Sequence, residues 1–292
     1  MKIQIPEPLK SDVPQTAMGK LLLVTPVVMT VIATLLAGLA SSEMTRAQYD
    51  RAYAAQIQSK AGDQWNYFQA KKLRSAMQRN SLELLQASAE VRPFAASALP
   101  NTDALAIAAL EKNELPAFTH TKLNEQVKAA LEAVESSKTD AELAAQLNQL
   151  DAATLATALQ SARNDSGDFD NSTKPIIQAI DRLESAVASD RALARDFAAA
   201  RMRFNAARYD AESRLNQAIA NLLELQVRKN NLSAERHHKR SGKFFFGMLA
   251  AQAAVVVSTF SLAAQKRNFL WSVAAIAGLL AIAFAVYVFL YI

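Results

Sequence analysis

Residues 175–232 read PIIQAIDRLESAVASDRALARDFAAARMRFNAARYDAESRLNQAIANLLELQVRKNNL, and their spacing decides the fold. Alternate steps of four and three from Ile176 pass through Ile180, Leu183, Val187, Asp190, Ala194, Phe197, Arg201, Phe204, Arg208, Ala211, Leu215, Ala218, Leu222, Leu225 and Lys229 to Leu232. Thirteen of these seventeen positions are apolar. That is the repeat of a helix with one apolar seam, as in a coiled coil. No proline follows Pro175 as far as Ala264, and the only glycines there are Gly242 and Gly247. The stretch therefore predicts one very long helix or a nearly unbroken helical stack, with Pro175 at its first turn. Arg201 and Arg208 interrupt the seam, where they are expected to set register or to meet acidic partners.

Past Lys243 the periodicity ends and residues 244–264 carry no charge. Residues 21–40 and 269–292 are also uncharged, and each run is long enough to cross a bilayer. The fold expected is all-α, with three transmembrane helices and a long helical, coiled-coil extramembrane domain. The chain divides into a tail (1–20), a first anchor (21–40), a first long helix (41–92) and a helical insertion (93–174). A second long helix (175–243), a second anchor (244–264), a basic hairpin (265–268) and a third anchor (269–292) follow. Gly38 and Ala40 are small enough for a signal peptidase, but the apolar run before them is longer than a usual signal sequence, so an anchor is expected. Within the insertion, Asn101-Thr102-Asp103 opens a helix to about Leu115. Thr119 to Ser137 forms another, and Thr139-Asp140 a third lasting to about Arg163. The sequence NDSGDFDNSTK then reads as a loop.

The 292 residues include no cysteine, which excludes disulfides, thiolate chemistry and cysteine metal sites. The net charge of +5 does not point to nucleic acid, because the basic residues are not gathered on an aromatic surface. Arg228, Lys229, Arg236, Lys239, Arg240 and Lys243 instead precede the second anchor, a placement suited to lipid headgroups or to ordinary flanking charge. Lys2, Lys10 and Lys20 in the tail and Lys266 and Arg267 in the hairpin favour a cytoplasmic N-terminus. The long domain is then expected on the external, periplasmic side of a bacterial inner membrane.

The most distinctive short stretch is Gly62-Asp-Gln-Trp-Asn-Tyr-Phe-Gln-Ala-Lys-Lys-Leu-Arg74. Tyr53, Ile57, Ala61, Trp65 and Phe68 share one helical stripe, while Ala70, Leu73, Met77, Leu84 and Val91 share another. Two buried faces are expected from this pattern. Trp65, Phe68, Gln69, Lys71, Lys72 and Arg74 offer aromatic, amide and cationic groups that would hold a partner; alternatively, the aromatics pack on the long helix and the lysines extend to water.

Three features occur in this order: an Ile3-x-Ile5-Pro6 tail before the first anchor, Asp63-Gln64-Trp65 followed by Tyr67-Phe68-Gln69-Ala70-Lys71, Leu73 and Arg74, and a closing pair of anchors joined by a basic hairpin. This order resembles the bacterial membrane-protein family labelled domain of unknown function 4337. The resemblance covers residues 1–92 and 195–292 and leaves the middle aside. It implies the membrane architecture and, since that family has no assigned activity, no mechanism.

Chemistry-bearing patterns are weak elsewhere. His120, His237 and His238 are the three histidines, and the adjacent pair points about 100° apart on a helix, which excludes an i,i+4 metal pair. Beside the basic cluster, that pair would at most sense pH at the headgroups. Asp165, Asp168 and Asp170 superficially suggest a calcium loop, but the spacing of glycine and terminal glutamate is wrong for one. No phosphate loop, nucleophile elbow or dinucleotide fingerprint is present. No catalytic residue, metal or cofactor is expected. The reading is a non-enzymatic membrane scaffold, spacer or sensor that presents a helical bundle to an unidentified protein partner, with membrane lipids and a second copy of itself as further partners. A subunit of a homo-oligomeric channel or transport complex is the alternative, weakened by the absence of ionisable residues in the anchors. Gln252, Thr259 and Ser261 are the notable polar residues of the second anchor, and helix packing is expected to account for them.

Overall fold

The computed structural model describes residues 17–99, 103–116, 122–136, 139–263 and 267–291. Regular structure among them is helical: α1 (Ala17–Ser88), a single 3-10 turn (Ala96–Ala98), α2 (Ala104–Glu111), α3 (Glu125–Glu135), α4 (Asp140–Gln149), α5 (Ala152–Val187), α6 (Arg191–Ala263) and α7 (Arg267–Tyr291). Most of the tail, Asn101 and Thr102, His120, and Gln265 and Lys266 of the hairpin lie outside the described residues, and the helix expected from Thr119 begins only at Glu125, capped by Asn124. Three helices, α1, α6 and α7, are long and apolar enough to cross a membrane. The chain separates into two compact units, one of residues 1–53 with 230–292 and one of residues 54–229.

In the first unit the three apolar segments share one core. Ala33, Leu36 and Ala40 of α1 meet Phe244 and Ala251 of α6 and Ala281 and Val288 of α7. The buried Ser241 hydroxyl donates to the Ala40 carbonyl at 2.7 Å, and Trp271 Nε1 donates to Thr25 Oγ1 at 2.9 Å. Pro26 lies inside α1. Its missing N–H deprives the Leu22 carbonyl of a bond, yet the helix runs on through it. Thr25 and Thr30 donate their hydroxyls to carbonyls four residues back, on either side of the proline.

In the second unit, α1 ends at Ser88, four residues short of the Arg92 end expected ahead of Pro93. Its last residues are tied down by Arg92 N–H donating to Asp196 Oδ1 at 3.0 Å. Phe94 then stacks edge-on against Phe197, centroids 5.4 Å apart. These two rings open a core that includes Ala106 and Leu110 of α2, Ile176, Ile180, Leu183 and Val187 of α5, and Phe204 of α6.

The predicted long helix differs from the structure at both its start and its middle. NDSGDFDNSTK is not a loop: it lies within α5, and Pro175 sits inside that helix rather than at its first turn. Phe169 decides the matter, being fully buried against Ala211 and Leu215 of α6. Thr173 donates to the Phe169 carbonyl at 2.6 Å, and the Pro175 side is exposed, so the unbonded Asn171 carbonyl faces water. The helix that does begin nearby starts at Asp151, which accepts from the Ala153 and Thr154 N–H groups and ends the predicted third insertion helix at residue 149. The seam breaks at Asp190, whose carboxylate accepts from Ala192 and Leu193 N–H and caps α6. Asp190 thus caps a new helix where the repeat had counted it as a polar seam position. Asn113, at φ 56°, closes α2 early in the left-handed region that asparagine tolerates.

The second stripe on α1 also departs from expectation. Leu73 is 62 % exposed, Met77 57 % and Leu84 71 %, and no described element covers them. The seam of α6 is covered within the chain: Leu215, Leu222 and Leu225 are each below 5 % exposed.

Candidate functional site

The Trp65 motif falls in α1, where it faces α6. Trp65 Nε1 donates to Glu224 Oε1 at 2.7 Å, and the indole meets Phe68 edge-on with centroids 5.4 Å apart. One helical turn on, Lys71 forms an ion pair with Glu212, whose other oxygen accepts from Arg208 Nη1 at 3.0 Å. Glu212 is 5 % exposed. A carboxylate so buried requires both cations, because desolvating it alone costs several kcal/mol. Tyr209 stands beneath this cluster, with the Arg208 guanidinium 4.3 Å, the Lys71 ammonium 5.5 Å and the Arg74 guanidinium 5.9 Å from its ring centroid.

A second ion cluster lies beside it on the same pair of helices. Asp210 accepts from Lys72 at 3.2 Å and from Arg79 at 2.7 Å. Burial pulls the Asp210 carboxyl up, but the two cationic hydrogen bonds outweigh it and hold the group below the usual carboxylate range. Between the clusters the buried Ser75 hydroxyl donates to the Ala206 carbonyl at 2.9 Å. Of the six motif residues singled out in the sequence, Trp65, Phe68, Lys71 and Lys72 are engaged within the chain. Arg74 reaches Tyr209 from an exposed position, and Gln69 faces solvent.

Beside Lys71 a cleft of about 520 Å³ opens between α1, α5 and α6, lined by Gln64, Tyr67, Lys71, Arg163, Asp170 and Glu212 among others. Burial of its inner side, reinforced by the nearby Glu212 carboxylate, raises the Asp170 carboxyl against the pull of Lys71 and Arg208. Gln64 Oε1 is buried there without a hydrogen-bond partner. Two cations, Lys71 and Arg163, and two carboxylates, Asp170 and Glu212, share this cleft. Among the described residues no group of three or more histidine, aspartate and glutamate side chains is arranged to hold a metal. Asp165, Asp168 and Asp170 are helical residues of α5.

The signal for Asp210, Glu212 and Glu224 was present in the sequence as charge complementarity. The α1 motif is basic from Lys71 to Arg79, and the facing stretch of α6 supplies the acids. Arg208 with Glu212 is moreover an i,i+4 pair. Arg201, the other seam cation, meets Asp181 at 2.7 Å and Glu184 at 2.8 Å on α5.

The six basic residues before the second anchor are divided. Arg228 and Lys229 belong to the second unit and the other four to the first. Lys229 departs from a headgroup role: its ammonium donates to the Leu147 carbonyl at 3.3 Å and to the Leu150 carbonyl, closing the C-terminus of α4. Lys239 pairs with Glu235 at 2.6 Å, Arg236 is exposed, and Arg240 and Lys243 are half-buried. His237 Nδ1 lies 2.5 Å from Glu43 Oε2, both largely buried in the first unit, while His238 is exposed.

The family model described as Domain of unknown function (DUF4337) matches residues 21–162. That match includes residues 93–162, which the motif-based resemblance left aside. No curated protein and no solved structure matches the chain.

Proposed function

We propose a role from the site itself, since the family model that matches residues 21–162 carries no activity in its name: a non-enzymatic membrane scaffold that presents a helical surface to a protein partner. The observation that carries this reading is the apolar stripe on α1, with Leu73 62 %, Met77 57 % and Leu84 71 % exposed. It runs along the same helix as the Trp65 motif, whose Trp65 and Lys71 are bound to Glu224 and Glu212 of α6. Contiguous apolar surface outside a bilayer marks an interaction site far more often than it is left to water. An apolar face of a partner helix fits it.

We place the second unit on the periplasmic side of a bacterial inner membrane, on the strength of the basic residues in the short tail and hairpin. Homo-oligomerisation through Leu215 and Leu222 loses its basis, since both are buried within one chain. The channel alternative gains no observation of its own.

A photo-reactive side chain placed at Leu73, Met77 or Leu84 tests the scaffold reading in intact cells. Discrete protein adducts at these positions, and none at the exposed Arg203 of α6, are expected. Equal labelling at all four, or none, would overturn it.

A further inference from the structure

An apolar side chain on the outside of a membrane bundle is in its ordinary environment, so Val256, 54 % exposed, carries no message by itself. A carboxamide in that position does. Gln252 lies eight residues beyond Phe244, where the uncharged run 244–264 begins. That is about 12 Å along the helix axis, near mid-depth of a hydrocarbon layer about 30 Å thick.

The other polar side chains of the spans are answered locally. Thr30, Thr34 and Thr259 donate their hydroxyls to carbonyls four residues back, and Ser258 and Ser261 to carbonyls three back. Trp271 donates to Thr25. The Gln252 carboxamide is exposed and makes no hydrogen bond among the described residues. It sits instead at the edge of a groove of about 490 Å³ whose floor includes Thr30, Ala33 and Ala37 of α1 and Val255 of α6. Ala33 and Ala37, one turn apart, leave room for another helix to approach closely.

We propose that Gln252 marks a membrane-embedded interface between two copies of this chain, in which the two Gln252 carboxamides hydrogen-bond to each other across a two-fold axis. The occupant follows from the chemistry of the group. A carboxamide is self-complementary: its N–H donates to the partner's carbonyl while its own carbonyl accepts in return. A two-fold axis through this point satisfies both groups and requires no other polar residue on the opposing surface. On the same stripe, Leu249 and Val256 stand three residues before and four after Gln252, 42 % and 54 % exposed. They supply the apolar contacts that flank the pair, and the single amide fixes their register. The inference is independent of the scaffold reading, which concerns a different unit and a different surface.

The chain has no cysteine, so single cysteines report the interface directly. In native membranes under mild oxidation, Val256→Cys is expected to give a cross-linked species of twice the chain mass. Ile276→Cys, on a lipid-exposed position of α7, is not. Adding Gln252→Leu to the Val256→Cys chain is expected to lower the yield about threefold or more, the effect of an interhelical hydrogen bond in a membrane. Gln252→Asn, which keeps the amide, should restore part of it. Neither change touches the core of the bundle, so the thermal unfolding of detergent-solubilised protein serves as the check on folding. Equal cross-linking at positions 256 and 276, none at 256, an adduct of another mass, or a yield indifferent to Gln252→Leu would each overturn the proposal.

Discussion

Trp65 of α1 and Glu224 of α6 are joined by a 2.7 Å hydrogen bond from indole to carboxylate across 159 residues of chain. Both groups are half-buried, so water compensates only part of the loss when the donor is removed. Trp65→Phe keeps most of the ring's apolar contact with Phe68 and deletes the N–H. The expected cost is about 1.5–2 kcal/mol, the low end of the range for a hydrogen bond to a charged group, because both partners keep some contact with water. Thermal unfolding of the full chain in detergent measures it. Combining Trp65→Phe with Glu224→Ala, which removes the acceptor, should cost less than the sum of the two, because each single change already breaks the same bond.

Glu212 offers a steeper test. Its carboxylate is held by Lys71 and Arg208 in a site from which water is nearly absent. Glu212→Gln leaves two cations facing a neutral amide and is expected to destabilise by about 3 kcal/mol, well beyond the effect of Trp65→Phe. A loss under about 1 kcal/mol, the range of exposed ion pairs, would show that the cluster is solvated in the working protein.

Asp210 and Asp170 are shifted in opposite directions and should respond to pH with opposite sign. The Asp210 carboxyl is held below its usual range, so the fold favours its ionised form. Its contribution is present above the ordinary carboxylate pKa of about 4 and is lost as pH falls through the depressed value. Asp210→Asn should therefore lower the melting temperature at neutral pH, by an amount that shrinks on acidification. Asp170 is raised by burial and by Glu212, so the folded chain retains its proton longer than the unfolded one. Stability then falls as pH rises through the interval between the ordinary and the raised value, and Asp170→Asn should raise the melting temperature at neutral pH and do nothing in acid. Melting curves of the two variants at several pH values should diverge above that interval, one below and one above the parent chain.

The residues that were legible in the sequence and those that were not differ in a physical way. Uncharged runs of twenty residues and a three-four apolar repeat are local patterns, so the three spans and the buried Phe197, Phe204, Leu215 and Leu222 could be read directly. Pro175 and the run NDSGDFDNSTK misled because their local preference for a loop is weak beside the burial of Phe169, a contact with Ala211 and Leu215 more than forty residues away. Asp190 and Asp151 were visible as polar residues, but their role as caps depends on where the chain turns. The α1 stripe at Leu73, Met77 and Leu84 has the periodicity of a buried face and is exposed; periodicity reports that a face is apolar and not what covers it. For the same reason Gln252 looked ordinary in sequence, and what sets it apart from Ser258 and Ser261, which donate to carbonyls three residues back, is that it has no hydrogen-bond partner among the described residues.

Within the first unit α1 and α7 meet at Met29 and Gly278, where a side-chain carbon on the glycine would overlap the Met29 thioether. Methionine is flexible and can swing aside for a single methyl group. Gly278→Ala is therefore expected to cost less than about 1.5 kcal/mol, whereas Gly278→Leu must separate the helices and should cost about 1–3 kcal/mol, the usual range for overpacking. The decisive measurement is the double change. Met29→Ala alone opens a gap between the helices and should destabilise, yet combined with Gly278→Leu it makes room for the new side chain, so the pair should be more stable than the sum of the two losses predicts. Strict additivity in thermal unfolding would mean that these residues do not touch, and that the three spans pack in some other register.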